Sequence, residues 1–312
     1  MTTLRKPKAI KPGATLAVVS PASTPRPELV EAGCKALEQL GYRTRLYPHA
    51  LDRGPLYYAG TLEDRLADLH AAFADPTVDA ILCTRGGWGS AELLPHLDKA
   101  LISENPKAFL GYSDQTSLHM WLQREASLVS FQAPMVAADF SKPDGPDLTS
   151  WHSALVATEP WSLGPASGLR TLKPGSAQGI LGGGCLSIFA EGLGTPYGPR
   201  PSSGILFFED IGVKPYQWDR MLIHLRHAGI LAAAQGIVFG DMQSCGTTQE
   251  PADVEASLLH ALHDFRGPIG VGITSGHVSR NNITLPFGVE VRLDLKAAGN
   301  PRLHFLESSV EA

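Results

Sequence analysis

The chain has 312 residues, 43% of them hydrophobic and 18% charged, so it can bury more core than one typical domain needs, and two domains are expected. Its formal net charge of -5, from 26 basic and 31 acidic side chains with no run of lysine or arginine, provides no basic field for a nucleic acid. No apolar stretch reaches the roughly 18 residues of a membrane span, and the run 16–19 is too short for a signal-peptide core.

From the N-terminus, short apolar runs alternate with helix-like segments. TLAVVS, 42–47, VDAILCT and KAFLGYS read as strands, and 26–40, 62–74, 90–97 and 115–123 read as helices. Such alternation predicts a parallel sheet covered by helices, with ligands beyond the carboxyl ends of its strands. Residues 141–175 break the rhythm with Pro, Gly, Ser and Trp, as expected of an interdomain connection. We therefore expect an N-terminal α/β domain over 1–145, a linker over 146–175 and a smaller, β-rich mixed C-terminal domain over 176–312. In the last of these, GILFFED, QGIVFGDM, PIGVGITSGH and NITLPFGVEVRLDL supply strands, and 216–227 and 252–265 supply helices.

Four sites along the chain, five residues in all, suggest chemistry. Ser113 ends the strand KAFLGYS and opens a helix, a turn that lifts a serine above the sheet; the same residue, or Asp114, would equally serve as a helix N-cap. One strand earlier, Gly86 and Gly87 in CTRGGWGS let backbone approach a substrate carbonyl as oxyanion donors, or simply make a tight anion-friendly turn. Glu209 closes GILFFED, where it can orient an imidazole or mark a turn, with Asp210 as its rival. His277, after IGVGITSG, has the strand-end loop position of a general base. Ser113, Glu209 and His277 together offer nucleophile, orienter and base in the chain order Ser, acid, His.

Other reactive residues read differently. The pairs His224/His227 and His260/His263 share helix faces but lack an accompanying carboxylate or cysteine motif, so solvation or packing is expected. Cys34, Cys83, Cys185 and Cys245 form no CxxC pair, which argues against a zinc site or disulfide framework and fits a reducing cytoplasm. Cys83, at a strand end, reads as a small buried hydrophobe.

The ordered motifs IKPGATLAVVSPAS, RGGWG, GYSD, LGGG, FFEDIGVKPYQWDRML and GHVSRNN, spread over nearly the whole chain, resemble the LD-carboxypeptidase family of serine peptidases. That family includes murein tetrapeptide carboxypeptidases and the self-immunity peptidases that inactivate microcin C-type peptide-nucleotides. The resemblance implies an N-terminal domain like that of class I glutamine amidotransferases and a smaller β-rich second domain. It also implies a Ser113–Glu209–His277 triad, and oxyanion donors at the Asp114 amide and in the Gly86–Gly87 turn. It further implies a homodimer without metal or cofactor, acting on a small peptide with a C-terminal D-amino acid, as in release of D-alanine from murein tetrapeptide. Arg85 and Arg280 are candidates for the terminal carboxylate.

Where many relatives read Gly-Gly-Asn, this chain reads Gly182-Gly183-Gly184-Cys185, which bears on the substrate branch and not on the triad. Two other readings stand beside the murein peptidase. One is a peptidase for peptidyl or aminoacyl nucleotides, with Trp88, Trp151, Trp161 or Trp218 available to stack on a base. The other is a non-catalytic module in which the glycine turns bind an anion or peptide.

Overall fold

A computed structural model describes residues 4–245, 252–295 and 300–312. Its strands run in chain order: β1 (Thr15–Val19), β2 (Arg43–Leu46), β3 (Ala80–Cys83), β4 (Ala108–Gly111), β5 (Ser130–Gln132), β6 (Trp161–Leu163) and β7 (Arg170–Lys173). They continue with β8 (Gly175–Cys185), β9 (Gly204–Glu209), β10 (Gly236–Gly240), β11 (Ile269–Ile273), β12 (Leu285–Phe287), β13 (Glu290–Leu295) and β14 (Arg302–Phe305). Two sheets result, ordered β12-β5-β4-β3-β1-β2 and β6-β14-β13-β8-β9-β10-β11-β7.

In the first sheet β1 to β5 are parallel. The apolar runs of β1, β3 and β4 follow from burial on both faces. In β1, Leu16 and Val18 enter one core while Ala17 and Val19 enter another. The crossovers are helices, including Pro27–Gln39, Leu62–Ala74 and Thr116–Arg124. Thr61 and Asp64 start the second of these with a reciprocal capping box, one source of its sharp boundary.

The second sheet is mixed, as expected, with β8 to β11 parallel and antiparallel strands at both flanks. It is not the smaller of the two, for it has eight strands against six. The surplus comes from the stretch expected as a linker, which contains the helix Leu148–Leu155 and the edge strands β6 and β7. Their three- and four-residue lengths leave too little alternation to stand out among the surrounding Pro and Gly. The strand β12 also departs from its expected place. Although C-terminal in sequence, it pairs antiparallel with β5 and closes the edge of the first sheet. Residues 274–284, between β11 and β12, therefore pass from one sheet to the other.

Among the described residues no helix is long and apolar enough to cross a membrane.

Candidate active site

The parallel strands of both sheets direct their carboxyl ends toward one cleft. From the first sheet, β4 ends at Gly111, and Tyr112 leads into a turn, Ser113–Gln115, that runs on into the helix Thr116–Arg124. Ser113 occupies the left-handed region at φ +66°, an uncommon conformation for a residue with a side chain, and is 9% exposed. The carbonyl of Gly111 just upstream accepts a hydrogen bond from the ring of the buried His119, 2.8 Å. Burial lowers that imidazole to about 4, so it is neutral at physiological pH. From the second sheet, β9 ends at the fully buried Glu209, and the segment beyond β11 brings His277 across from it.

These three side chains form one chain of hydrogen bonds. His277 Nε2 lies 3.0 Å from Ser113 Oγ, and His277 Nδ1 lies 2.8 Å from Glu209 Oε2. The same carboxylate oxygen accepts the His277 backbone N–H at 2.9 Å, fixing residue and ring together. With Nδ1–H donating to the acid, Nε2 keeps a lone pair for the serine hydroxyl. Burial depresses the His277 pKa, but the charge of Glu209 and its hydrogen bond outweigh this, and the net shift is upward from the ordinary imidazole value. The Tyr112 ring stands edge-on to the imidazole, with centroids 5.2 Å apart and planes at 88°.

Asp210, the rival acid, faces elsewhere. Its oxygens accept the backbone N–H groups of Ser187 and Ile211, each at 2.9 Å, so it serves the start of a neighbouring helix, Leu186–Glu191. Position along the strand separates the two. Glu209 is the last residue of β9, whereas Asp210 already belongs to the loop that follows it.

Glycines let the parts approach. A Cβ on Gly86 would stand 2.6 Å from Ser113 Cβ, 2.7 Å from its Oγ and 3.4 Å from the Asp114 amide nitrogen, so backbone packs directly on the serine. The Asp114 side chain accepts the Ser90 N–H at 2.7 Å and so ties the glycine turn to the nucleophile turn; burial raises its carboxyl to about 6. The Gln115 amide donates to the Arg85 carbonyl at 3.1 Å. On the other side, Gly276, at φ +94°, leaves no room for a side chain, since its Cβ would lie 2.3 Å from Glu209 Cδ.

Asn282 was not singled out by the sequence reading, although it stands in the GHVSRNN motif. It is fully buried, accepts the Gly276 N–H at 2.9 Å, and donates to the Gly276 carbonyl at 3.0 Å and to Asp139 Oδ1 at 3.1 Å. The residue next to the imidazole is thereby clamped. Asp139 is also buried, which pushes its carboxyl up to about 6.

A cavity of about 580 Å³ opens on Ser113 and His277, with Gly86, Gly87 and Arg85 among its lining. Arg280 is exposed and is not part of that lining. Of the four tryptophans considered for base stacking, Trp151 and Trp218 are core residues and Trp161 stacks on Phe305, with centroids 4.1 Å apart. Trp88 alone of these is exposed, one residue beyond the glycine turn. Cys83 is fully buried at the end of β3, and all four cysteines are free thiols.

The family models for the LD-carboxypeptidase N-terminal and C-terminal domains match residues 16–133 and 178–293. The chain belongs to the LD-carboxypeptidase family. A probable murein peptide carboxypeptidase of Bacillus subtilis is 37% identical over 295 residues, covering 93% of this chain and 91% of that protein. Among solved structures, a muramoyltetrapeptide carboxypeptidase from Oxalobacter formigenes superposes with a TM-score of 0.85 at 28% identity, over 95% of this chain and 99% of the other. An MccF-like protein from Bacillus anthracis gives 0.89 at 27% identity, over 96% and 99%. Membership of the LD-carboxypeptidase family makes this chain a peptidase in kind, and its two matched segments are those that contribute Ser113 on one side and Glu209 with His277 on the other.

Proposed function

We propose that the protein is a serine-type LD-carboxypeptidase that releases the terminal D-alanine of murein tetrapeptide in cell-wall recycling. The observation that carries this reading is the unbroken hydrogen-bond chain from Ser113 Oγ through His277 to Glu209 at the mouth of the cavity. Ser113 Oγ attacks the carbonyl carbon between the L-centre and D-alanine while Nε2 of His277 takes its proton. The resulting imidazolium is stabilised by the Glu209 carboxylate, and the oxyanion is received by the Asp114 amide with an amide of the Gly86–Gly87 turn. The imidazolium then protonates the departing amine of D-alanine, leaving an acyl-serine. Water, deprotonated by the same imidazole, attacks that ester, and Ser113 recovers its proton as the shortened peptide leaves with a new carboxylate.

Support for the substrate comes from the Bacillus subtilis and Oxalobacter formigenes relatives, both described as carboxypeptidases of murein peptides. The same reading takes 1–145 as the unit that bears the nucleophile, 146–175 as a connection that also lends edge strands, and 176–312 as the unit that bears acid and base. The parallel first sheet with its strand-to-helix nucleophile turn supports a likeness to class I glutamine amidotransferases, and the four free thiols support a cytoplasmic site of action. By family likeness the working form is a homodimer.

The test is incubation with L-Ala-γ-D-Glu-meso-diaminopimelate-D-Ala in ¹⁸O-labelled water, with products followed by mass spectrometry. Wild-type protein is expected to release unlabelled D-alanine and to place the label in the tripeptide carboxylate. The Ser113→Ala variant is expected to lose about five to six orders of magnitude in rate. Equal release by both proteins would remove Ser113 from the mechanism.

A further inference from the structure

The cavity before Ser113 is lopsided in charge. Among the described residues that line it, Arg26, Arg85 and Lys142 are cationic and none carries a carboxylate, in a chain whose net charge is -5. All three side chains are exposed, and none forms an ion pair among the described residues. Like charges gathered at one concave surface repel each other, and their field is directed at whatever enters.

The three belong to two separate walls. Arg85 adjoins Gly86, whose backbone touches Ser113, so it stands beside the reacting centre. In a carboxypeptidase only two atoms, the amide nitrogen and Cα, separate the scissile carbonyl carbon from the terminal carboxylate, a spacing that one cation next to the nucleophile can serve. Arg26 precedes the helix Pro27–Gln39, and Lys142 follows the helical turn Val136–Phe140. Those two elements pack so closely that a Cβ on Gly33 would lie 2.2 Å from the Val136 carbonyl oxygen. Arg26 and Lys142 therefore rise from one packed unit. One terminal carboxylate uses one cation, which leaves two without a partner.

We propose that Arg26 and Lys142 form an acyl-side anion subsite that selects peptides with free carboxylates before the scissile bond, as on a γ-linked acidic residue or a diamino diacid. The assignment rests on the carboxypeptidase reading for its orientation, and it makes the charge of the acyl half, in addition to the terminal carboxylate, a determinant of specificity.

Calorimetric titration of the Ser113→Ala protein separates this inference from the catalytic one, since it needs no turnover. The ligands are the murein tetrapeptide above and the same peptide with its glutamate and diaminopimelate carboxylates amidated, while the D-alanine carboxylate stays free. Amidation is expected to weaken binding about tenfold in the Ser113→Ala background and less than twofold once Arg26→Gln and Lys142→Gln are added. Both cations are exposed and unpaired, so the added changes are expected to leave folding intact. The same contrast is expected in KM of the otherwise wild-type enzyme, with kcat altered less. Equal loss on amidation in both backgrounds would overturn the subsite. Cation-dependent binding with no D-alanine release by wild type would retain the subsite and overturn the proposed reaction instead.

Discussion

The two halves of the candidate site are held by different means. On the nucleophile side, backbone does most of the holding: Ser113 sits at φ +66°, Gly86 lies against it, and the buried His119 secures the preceding carbonyl. On the acid and base side, side chains do the holding: Glu209 grips both the ring and the main chain of His277, and Asn282 clamps Gly276. A backbone-built half can be strained yet local, because its contacts come from turns at adjacent strand ends. A half built by side chains from β9 and from the passage between β11 and β12 depends on partners far apart in the chain. Substitutions in the second half should therefore disturb geometry and titration together, whereas those in the first should act on local strain.

The largest effect among these is expected from Glu209→Gln. Glutamine offers an N–H where Nδ1–H now donates, which favours the wrong imidazole tautomer, and kcat should fall on the order of 10³- to 10⁴-fold. The pH profile gives an independent readout. As a base His277 must be neutral, so activity disappears as pH falls through its pKa. Burial alone lowers that pKa, and the charge and hydrogen bond of Glu209 raise it above the ordinary value of 6.5. With the Glu209 carboxylate removed, burial is opposed only by the weaker charges of Asp210 and Asp139, so the residual activity should persist to lower pH than in wild type. A kcat/KM profile whose acid limb stays in place would show that Glu209 does not govern the imidazole.

A smaller effect is expected from Asn282→Ala. The change leaves the Gly276 N–H and carbonyl and Asp139 Oδ1 without this partner in a buried setting, at a stability cost of about 2 kcal/mol or more. A clamp lost beside His277 should also reduce kcat about 10- to 100-fold with KM little altered. Thermal unfolding and steady-state kinetics distinguish the two contributions. Lost stability with unchanged kcat would make Asn282 a packing residue only.

The same division explains what could be read from the sequence. In the first sheet β1, β3 and β4 stood out because each was a continuous buried run, the helices between them showed an amphipathic period, and Ser113 lay at a junction of the two; β5, only three residues long, did not stand out. Local pattern left Ser113 poised between nucleophile and cap, and left Glu209 level with Asp210, because hydrogen bonds across the cleft depend on which strand ends meet. Family motifs, read as a resemblance, supplied that choice. The placement of β12 in the first sheet was hidden, since Leu-Pro-Phe offers three residues and a proline that only an edge position tolerates. Asn282 was hidden too, as an amide in a polar loop looks like solvent-facing sequence until its two partners are known.

The finest test of the backbone-built half compares Ser113→Gly with Ser113→Ala. Both variants lack the hydroxyl and should be inactive, so stability alone is read. At φ +66° an alanine keeps the steric conflict between Cβ and backbone, roughly 1–2 kcal/mol, whereas glycine adopts this region freely. Glycine's greater freedom in the unfolded chain returns about 0.4–1 kcal/mol of that advantage. The balance favours the glycine variant by about 1 kcal/mol, a rise in melting temperature of roughly 2 °C for a chain of this size. A glycine variant no more stable than the alanine variant would mean that the turn carries no stored strain. The nucleophile side would then be held, like the acid and base side, by the contacts around it and not by a backbone forced into place.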